Sequence, residues 1–90
     1  MGGRHGYAAI GYDPHARVRM GERRVSEEQV ERAIGNPTRR YPSTDPPGRI
    51  IVEYDTTAGN TLRVVYVEIP TVNGSEAFVL TVVRFRRRQT

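Results

Sequence analysis

Ninety residues with 37% hydrophobic side chains suffice for one domain with a modest core, and they are too few for two domains. The chain has no cysteine, which excludes disulfides, thiolate catalysis and cysteine-based zinc sites, and two histidines are too few for a histidine-dominated metal site. All fourteen basic residues are arginine and the net charge is +4, so an acidic partner is expected, nucleic acid above all.

Residues 1–12 are rich in glycine and follow neither a helix nor a strand period. We interpret them as a flexible N-terminal arm with a short strand at residues 7–10. They include no apolar segment of the kind found in a secretory signal. No run elsewhere approaches the roughly 18 apolar residues of a membrane span. We therefore expect a cytoplasmic protein with no membrane partner.

Two short helices are predicted after the arm. The first has Asp13 as its cap and Pro14 at the first helical position, and it runs to about Glu22. The second begins with a capping box between Ser26 and Gln29. It is expected to end with Gly35 as its cap, before Asn36-Pro37. The helical residues expected in the core are Ala16, Met20, Val30, Ala33 and Ile34.

The rest of the chain has strand patterns. Residues 38–41 are predicted as a short edge strand, and the three prolines within residues 42–48 indicate a loop. Residues 49–55 alternate between apolar and polar side chains. Residues 61–69 are apolar on both faces, which is typical of an interior strand. Asn73-Gly74 indicates a hairpin turn before a last strand at residues 77–85.

These elements predict an α+β domain over residues 13–85, with two short N-terminal helices packed on one face of a three- to four-stranded antiparallel sheet. Residues 86–90 would follow as a basic tail that contains Arg86, Arg87 and Arg88. Such a tail would contact nucleic acid without sequence specificity.

The residues His15, Arg19 and Arg23 supply the groups that acid–base chemistry on a phosphodiester requires. Their i, i+4, i+8 spacing places them in one row on the first helix, here called the His15 row, along the border of the apolar stripe. Histidine titrates near neutrality, and guanidinium groups bind phosphate. We therefore predict these three residues as the catalytic set of a metal-independent RNA cleavage, with no metal and no cofactor.

A structural role is the alternative for the His15 row. Arg19 or Arg23 would then pair with Glu22, Glu27 or Glu53 and hold the two helices together. Because Arg23 lies nearest the apolar stripe, we expect it to be chiefly structural, with a partly buried carboxylate as its partner.

Five further residues are predicted to contact RNA, and these are Arg17, Arg63, Arg84, Tyr54 and Tyr66. Arg63 and Arg84 lie within apolar strands, where charged side chains are uncommon unless they are paired or bind a ligand. For the two tyrosines, stacking on bases and filling the core are both open. Compositional bias of the genome is the alternative explanation for an arginine content without lysine.

The segment from His15 to Ser26 resembles the opening motif of the bacterial family called domain of unknown function 4258. That motif has a histidine, an Arg-Met pair four residues on, an arginine three residues after the methionine, and a second helix that begins Ser/Thr-x-x-Glu/Gln. The matching residues here are His15, Arg19-Met20, Arg23 and Ser26-x-x-Gln29. The resemblance extends over about residues 13–85.

That family in turn distantly resembles the RelE/ParE and BrnT toxins. The resemblance implies a RelE/BrnT-like fold, with RNA or the ribosome as target and an antitoxin-like protein as partner. The lysines that help catalysis in RelE-type enzymes have no counterpart here. The leading expectation is a toxin-like, metal-independent endoribonuclease or RNA-binding domain of a toxin–antitoxin-type system. The alternative is a non-catalytic module that binds nucleic acid or protein.

Overall fold

The computed structural model describes residues 6–87, which form two helices and five strands. In chain order the elements are β1 (Ala9–Tyr12), α1 (Pro14–Arg23), α2 (Glu27–Gly35), β2 (Arg39–Thr44), β3 (Pro47–Asp55), β4 (Asn60–Thr71) and β5 (Gly74–Arg86). Residues 9–12, which were predicted as part of a flexible arm, thus form β1. The short strand predicted at residues 7–10 lies two residues further along the chain.

The five strands form one mixed sheet in the order β1-β5-β4-β3-β2. Strands β2 to β5 make an antiparallel meander, and β1 joins β5 in parallel, with Ala9 opposite Glu76. The α+β class with two helices is confirmed. The predicted antiparallel sheet of three to four strands is wrong in its strand number and in the direction of β1. A strand of four residues is too short to show a period of two, and parallel pairing has no local turn to indicate it.

Local capping explains where the helices begin and end. The Asp13 side chain accepts the His15 N–H at the start of α1, and Pro14 occupies the first turn. The predicted capping box of α2 is present. The end of α2 differs from the prediction, since Gly35 is still helical and Asn36 is the cap, with its backbone N–H donating to the Arg32 carbonyl.

Both helices pack on the same face of the sheet, α1 against β5 and α2 against β3 and β4. The helical core residues that the sequence predicted are all buried, and the sheet side of the core is formed by Val52, Leu62, Val64, Tyr66, Ala77, Val79 and Val82. The interior position of β4, between β3 and β5, is confirmed. We call this face of the sheet the helix side and the other the open side.

The loop predicted from the three prolines is much shorter than expected. Pro42 belongs to β2, where it lies opposite Ile50, and Pro47 already belongs to β3. Only residues 45 and 46 form the turn between the two strands. Pro42 is tolerated because β2 is an edge strand, with one row of backbone groups unpaired by the sheet, and Pro47 precedes the part of β3 that pairs with β4.

Candidate nucleic-acid interface

The His15 row lies on the solvent side of α1. His15 is exposed, and its backbone N–H donates to Asp13 Oδ1 over 2.8 Å. Arg19 Nη1 lies 3.2 Å from Glu22 Oε1, and Arg23 Nη1 lies 3.8 Å from the same oxygen. The Glu22 side chain is 54% exposed, so the partly buried partner expected for Arg23 is wrong. One carboxylate serves two guanidinium groups, which leaves the row with a net positive charge beside an accessible imidazole.

Arg17 links the two helices in place of the His15 row. Its guanidinium pairs with Glu27 in the first turn of α2 and lies 4.5 Å from the centroid of the Tyr12 ring. Burial, followed by the charges of Glu27 and Glu31, raises the pKa of Tyr12 to about 12. Arg17, which was predicted to contact RNA, is therefore already engaged by the protein itself.

Tyr54 and Arg84 meet in a pocket of about 260 Å³ between α2 and the sheet, here called the arginine pocket. Its lining also includes Val25, Gln29, Arg32 and Leu62. No acidic side chain lines the pocket, and neither Arg32 nor Arg84 forms an ion pair with another residue of the range 6–87. The pocket therefore combines a positive potential with a half-buried aromatic ring.

The His15 row leads towards the arginine pocket. Val25, which lines the pocket, follows Arg23 by two residues. His15 precedes Arg23 by eight residues, which corresponds to about 12 Å along a helix axis. The C-terminal end of the row thus lies close in sequence to the pocket.

Comparison with known proteins gives one match. The family model described as Domain of unknown function (DUF4258) matches residues 12–84. The chain belongs to this family. No curated protein and no solved structure matches it. The DUF4258 match includes the His15 row and both Tyr54 and Arg84 of the arginine pocket.

The DUF4258 domain holds Arg63 on the open side of its sheet, away from the arginine pocket. Arg63 Nε and Nη2 each lie 2.8 Å from Glu53 Oε2, and its guanidinium lies 5.0 Å from the centroid of the Phe85 ring. Arg39 Nε donates to Glu53 Oε1 over 2.7 Å, and the Tyr41 hydroxyl donates to Oε2 over 2.8 Å. Glu53 is thus the centre of a polar network that covers this side.

The Glu53 carboxylate is ionised at neutral pH although it is only 7% exposed. Burial raises the pKa of Glu53, but the hydrogen bonds from Arg39, Tyr41 and Arg63 outweigh it and hold the pKa below its usual range. The negative charge neutralises Arg63 locally. Arg63, predicted to contact RNA, is therefore less available to phosphate than Arg84.

The remaining predicted RNA contacts, Tyr66 and the basic tail, lie outside the arginine pocket. The Tyr66 ring is buried in the core, which is the second of the two alternatives that its sequence position left open. Arg86 is the last residue of β5, and Arg87 Nη1 donates to the Asn60 carbonyl over 2.6 Å. Arg88, with the rest of the predicted basic tail, lies outside the described residues.

Sequence reasoning missed Arg32 and Gln29, the two α2 residues that line the arginine pocket. Their i, i+3 spacing places them on one side of the helix, next to the inward face that Val30 and Ala33 define. That spacing was the available signal. It was not sufficient, because nothing local indicates that Arg84, 52 positions away in the sequence, lies opposite them.

The arginine pocket, which no acidic side chain lines, suits an anionic ligand. Within residues 6–87, no group of three or more His, Asp or Glu side chains is arranged to hold a metal ion. No helix in the same range is long and apolar enough to cross a membrane. The accessible groups on the helix side include guanidinium groups, an imidazole and a tyrosine ring, which suit phosphates and bases, and also the exposed carboxylates of Glu22, Glu27, Glu28 and Glu31.

Proposed function

We propose that this DUF4258 domain is a toxin-like RNA-binding domain whose helix side contacts single-stranded RNA. The observation that carries the proposal is the arginine pocket, which is lined by a tyrosine ring and by two guanidinium groups that form no ion pair within residues 6–87, with no carboxylate in its lining. A guanidinium can bind a phosphate through two parallel hydrogen bonds, and an aromatic ring can stack on a base of any identity.

The charge distribution supports the helix side as the side that meets RNA. On the open side, Arg39 and Arg63 are bound to Glu53, and Arg39 also pairs with Asp55. A phosphate there would have to displace carboxylates that already satisfy the guanidinium donors. On the helix side, Arg32 and Arg84 require no such displacement.

The test is RNA binding measured as a function of salt, with Arg84→Gln and Arg32→Gln beside the wild type. Each variant should lower the slope of log affinity against log salt by about one phosphate contact. Arg49→Gln is the matched control, because it removes the same charge from an exposed residue of the open side. If Arg49→Gln weakens binding as much as the pocket variants do, net charge and not the pocket explains the affinity.

Metal-independent RNA cleavage is the second candidate function, and the observation that favours it is the His15 row, in which His15 is exposed and Arg19 and Arg23 are half-buried. His15 would exchange a proton with the 2′-hydroxyl or the leaving oxygen, and Arg19 and Arg23 would hold the scissile phosphate. The partners would be RNA or the ribosome, with an antitoxin-like protein as inhibitor. Induced expression in bacteria, wild type beside His15→Ala, tests this: growth arrest with cleaved RNA must depend on His15. Intact RNA in the wild type would instead favour a non-catalytic binding module.

A further inference from the structure

A second and larger cavity, here called the tyrosine cleft, opens at the C-terminal end of α2. Its volume is about 430 Å³, which is within the range of small-molecule sites. The side chains that shape it are Tyr7, Ile34, Arg40, Tyr66 and Glu68. They come from the segment before β1, from α2, and from strands β2 and β4. None of them belongs to the arginine pocket or to the His15 row.

A chain of hydrogen bonds fixes the carboxylate of Glu68 in this cleft. The Tyr7 hydroxyl donates to Glu68 Oε2 over 2.6 Å, and it lies 2.9 Å from the Tyr66 hydroxyl. Because Tyr7 has one hydroxyl hydrogen and gives it to Glu68, the Tyr66 hydroxyl must be the donor to Tyr7. Burial, followed by the bond to Glu68, raises the pKa of Tyr7, so this donor stays protonated. The buried ring of Tyr66 thus anchors the whole chain.

Arg40 places a guanidinium beside this carboxylate. Its Nη2 lies 3.7 Å from Glu68 Oε2, and its contacts with the hydroxyls of Tyr66 and Tyr7 raise its pKa. The side chains of Arg40 and Glu68 are 53% and 45% exposed. Glu68 Oε1 makes no hydrogen bond to another residue in the described range. A ligand in the cleft can therefore accept hydrogen bonds from the Arg40 guanidinium and donate one to Glu68 Oε1 beside it.

Two glycines keep the cleft open. Gly6 and Gly74 both line it and both have positive φ values, of 78° and 140°. A Cβ atom built on either glycine would meet no atom of residues 6–87 within 4 Å, so none of the described residues fills the space beside their backbone. Ile34 adds an apolar wall. The cleft thus offers room for a flat ring with polar groups at its edge.

We infer that the tyrosine cleft binds a guanine base of the RNA strand, an inference that rests on the proposed RNA binding. Guanine carries two adjacent donors, N1–H and the N2 amine, next to two acceptors, O6 and N7. A carboxylate can accept from both donors while a neighbouring guanidinium donates to O6 and N7. Adenine and cytosine each offer one amine to the carboxylate, so each would bind only one of its two oxygens.

The position of the cleft is compatible with RNA in the arginine pocket. Leu62 lines the arginine pocket and Glu68 the cleft, and both are on β4. Six residues of strand separate them, or about 20 Å. A strand of several nucleotides can therefore place phosphates at one end of α2 and an unstacked base at the other, which is how proteins commonly read single-stranded RNA.

The experiment compares short oligouridine strands that differ at one central position, with affinity measured by fluorescence anisotropy. The wild type should bind the strand with one guanosine about tenfold more tightly than the all-uridine strand. Inosine, which lacks the N2 amine, and 7-deazaguanosine, which lacks N7, should each lose part of that gain. Glu68→Gln should remove the guanosine preference and leave the all-uridine affinity unchanged. Arg84→Gln is the control that should weaken both strands by the same factor.

The outcomes separate this inference from the proposed function. A wild-type preference for adenosine or cytidine, no preference at all, or a guanosine preference that survives in Glu68→Gln would overturn the guanine site while RNA binding stands. Absence of binding to every strand at low salt would overturn the RNA-binding proposal itself. If Glu68→Gln melts at a clearly lower temperature, Arg40→Gln provides the same test from the donor side of the cleft.

Discussion

Replacing Glu53 with glutamine is expected to destabilise the protein more than any single change in the His15 row. The carboxylate accepts hydrogen bonds from Arg39, Tyr41 and Arg63, at 2.7 to 2.8 Å. An amide of the same shape removes the charge and turns one acceptor oxygen into a donor group. That donor would then face guanidinium groups that have only donors.

The size of the effect follows from the exposure of the partners. Removing one member of a buried ion pair costs about 3–5 kcal/mol. The Arg39 and Arg63 side chains are 46% and 40% exposed, so water can rehydrate both, and Arg39 keeps Asp55 as a partner. We therefore expect a loss of about 2 kcal/mol in the free energy of unfolding. For a domain of this size that corresponds to a decrease of about 8–16 °C in melting temperature.

The same variant should change the pH dependence of stability. The pKa of Glu53 is lower in the folded protein than the value of about 4.3 usual for an unfolded chain. Its stabilisation is therefore present above about pH 4.3 and is lost as the pH falls through the folded pKa. Glu53→Gln has no carboxylate at this position, so its stability should not fall through protonation of this group. The melting temperatures of the two proteins should converge as the pH falls through the folded pKa of Glu53.

Thermal melts from pH 3 to pH 8 measure both effects, with Glu22→Gln as the control. Glu22 is 54% exposed and its ion pairs are at the surface, so this control should change the free energy of unfolding by less than about 1 kcal/mol. If Glu53→Gln and Glu22→Gln melt alike at pH 7, the network on the open side does not stabilise the fold, and the reasoning is wrong.

Three further outcomes are expected. Ser26→Ala should cost about 1 kcal/mol in urea unfolding, because it removes the side chain that caps the Gln29 N–H at 3.1 Å, while Ser26→Asn should retain most of the stability. Arg23→Ala should cost less than about 1 kcal/mol, since its partner Glu22 is exposed, and a loss of 3 kcal/mol would show a structural role that the geometry does not contain. His15→Ala should leave the melting temperature within about 3 °C of the wild type, whatever it does to toxicity in expressing bacteria.

The features that the sequence predicted correctly are those with local causes. The start of α2 needs only Ser26 and Gln29, three residues apart, and the inward face of that helix needs only a period of 3.6. The interior position of β4 follows from apolar side chains on both of its faces, since an edge or half-exposed strand would alternate.

The features that it missed depend on contacts between distant residues. The parallel pairing of β1 with β5 joins Ala9 to Glu76. The tyrosine cleft joins Tyr7 to Glu68, a separation of 61 positions. The burial of Glu53 is a further case, because the alternation of β3 predicts only which face the residue occupies. The side chains of neighbouring strands determine whether that face is exposed to solvent.

Within residues 6–87, most of the unpaired arginines lie on the helix side of the molecule. Within residues 6–87, the arginines with neither an ion pair nor a side-chain hydrogen bond are Arg24, Arg32, Arg49, Arg84 and Arg86. Arg24 and Arg32 belong to the helical layer, and Arg84 and Arg86 share the face of β5 that lies towards it. Arg49 is on the open side. Four of these five guanidinium groups therefore lie on the side that contains the arginine pocket, and a phosphate of the proposed RNA ligand would reach them without displacing a carboxylate.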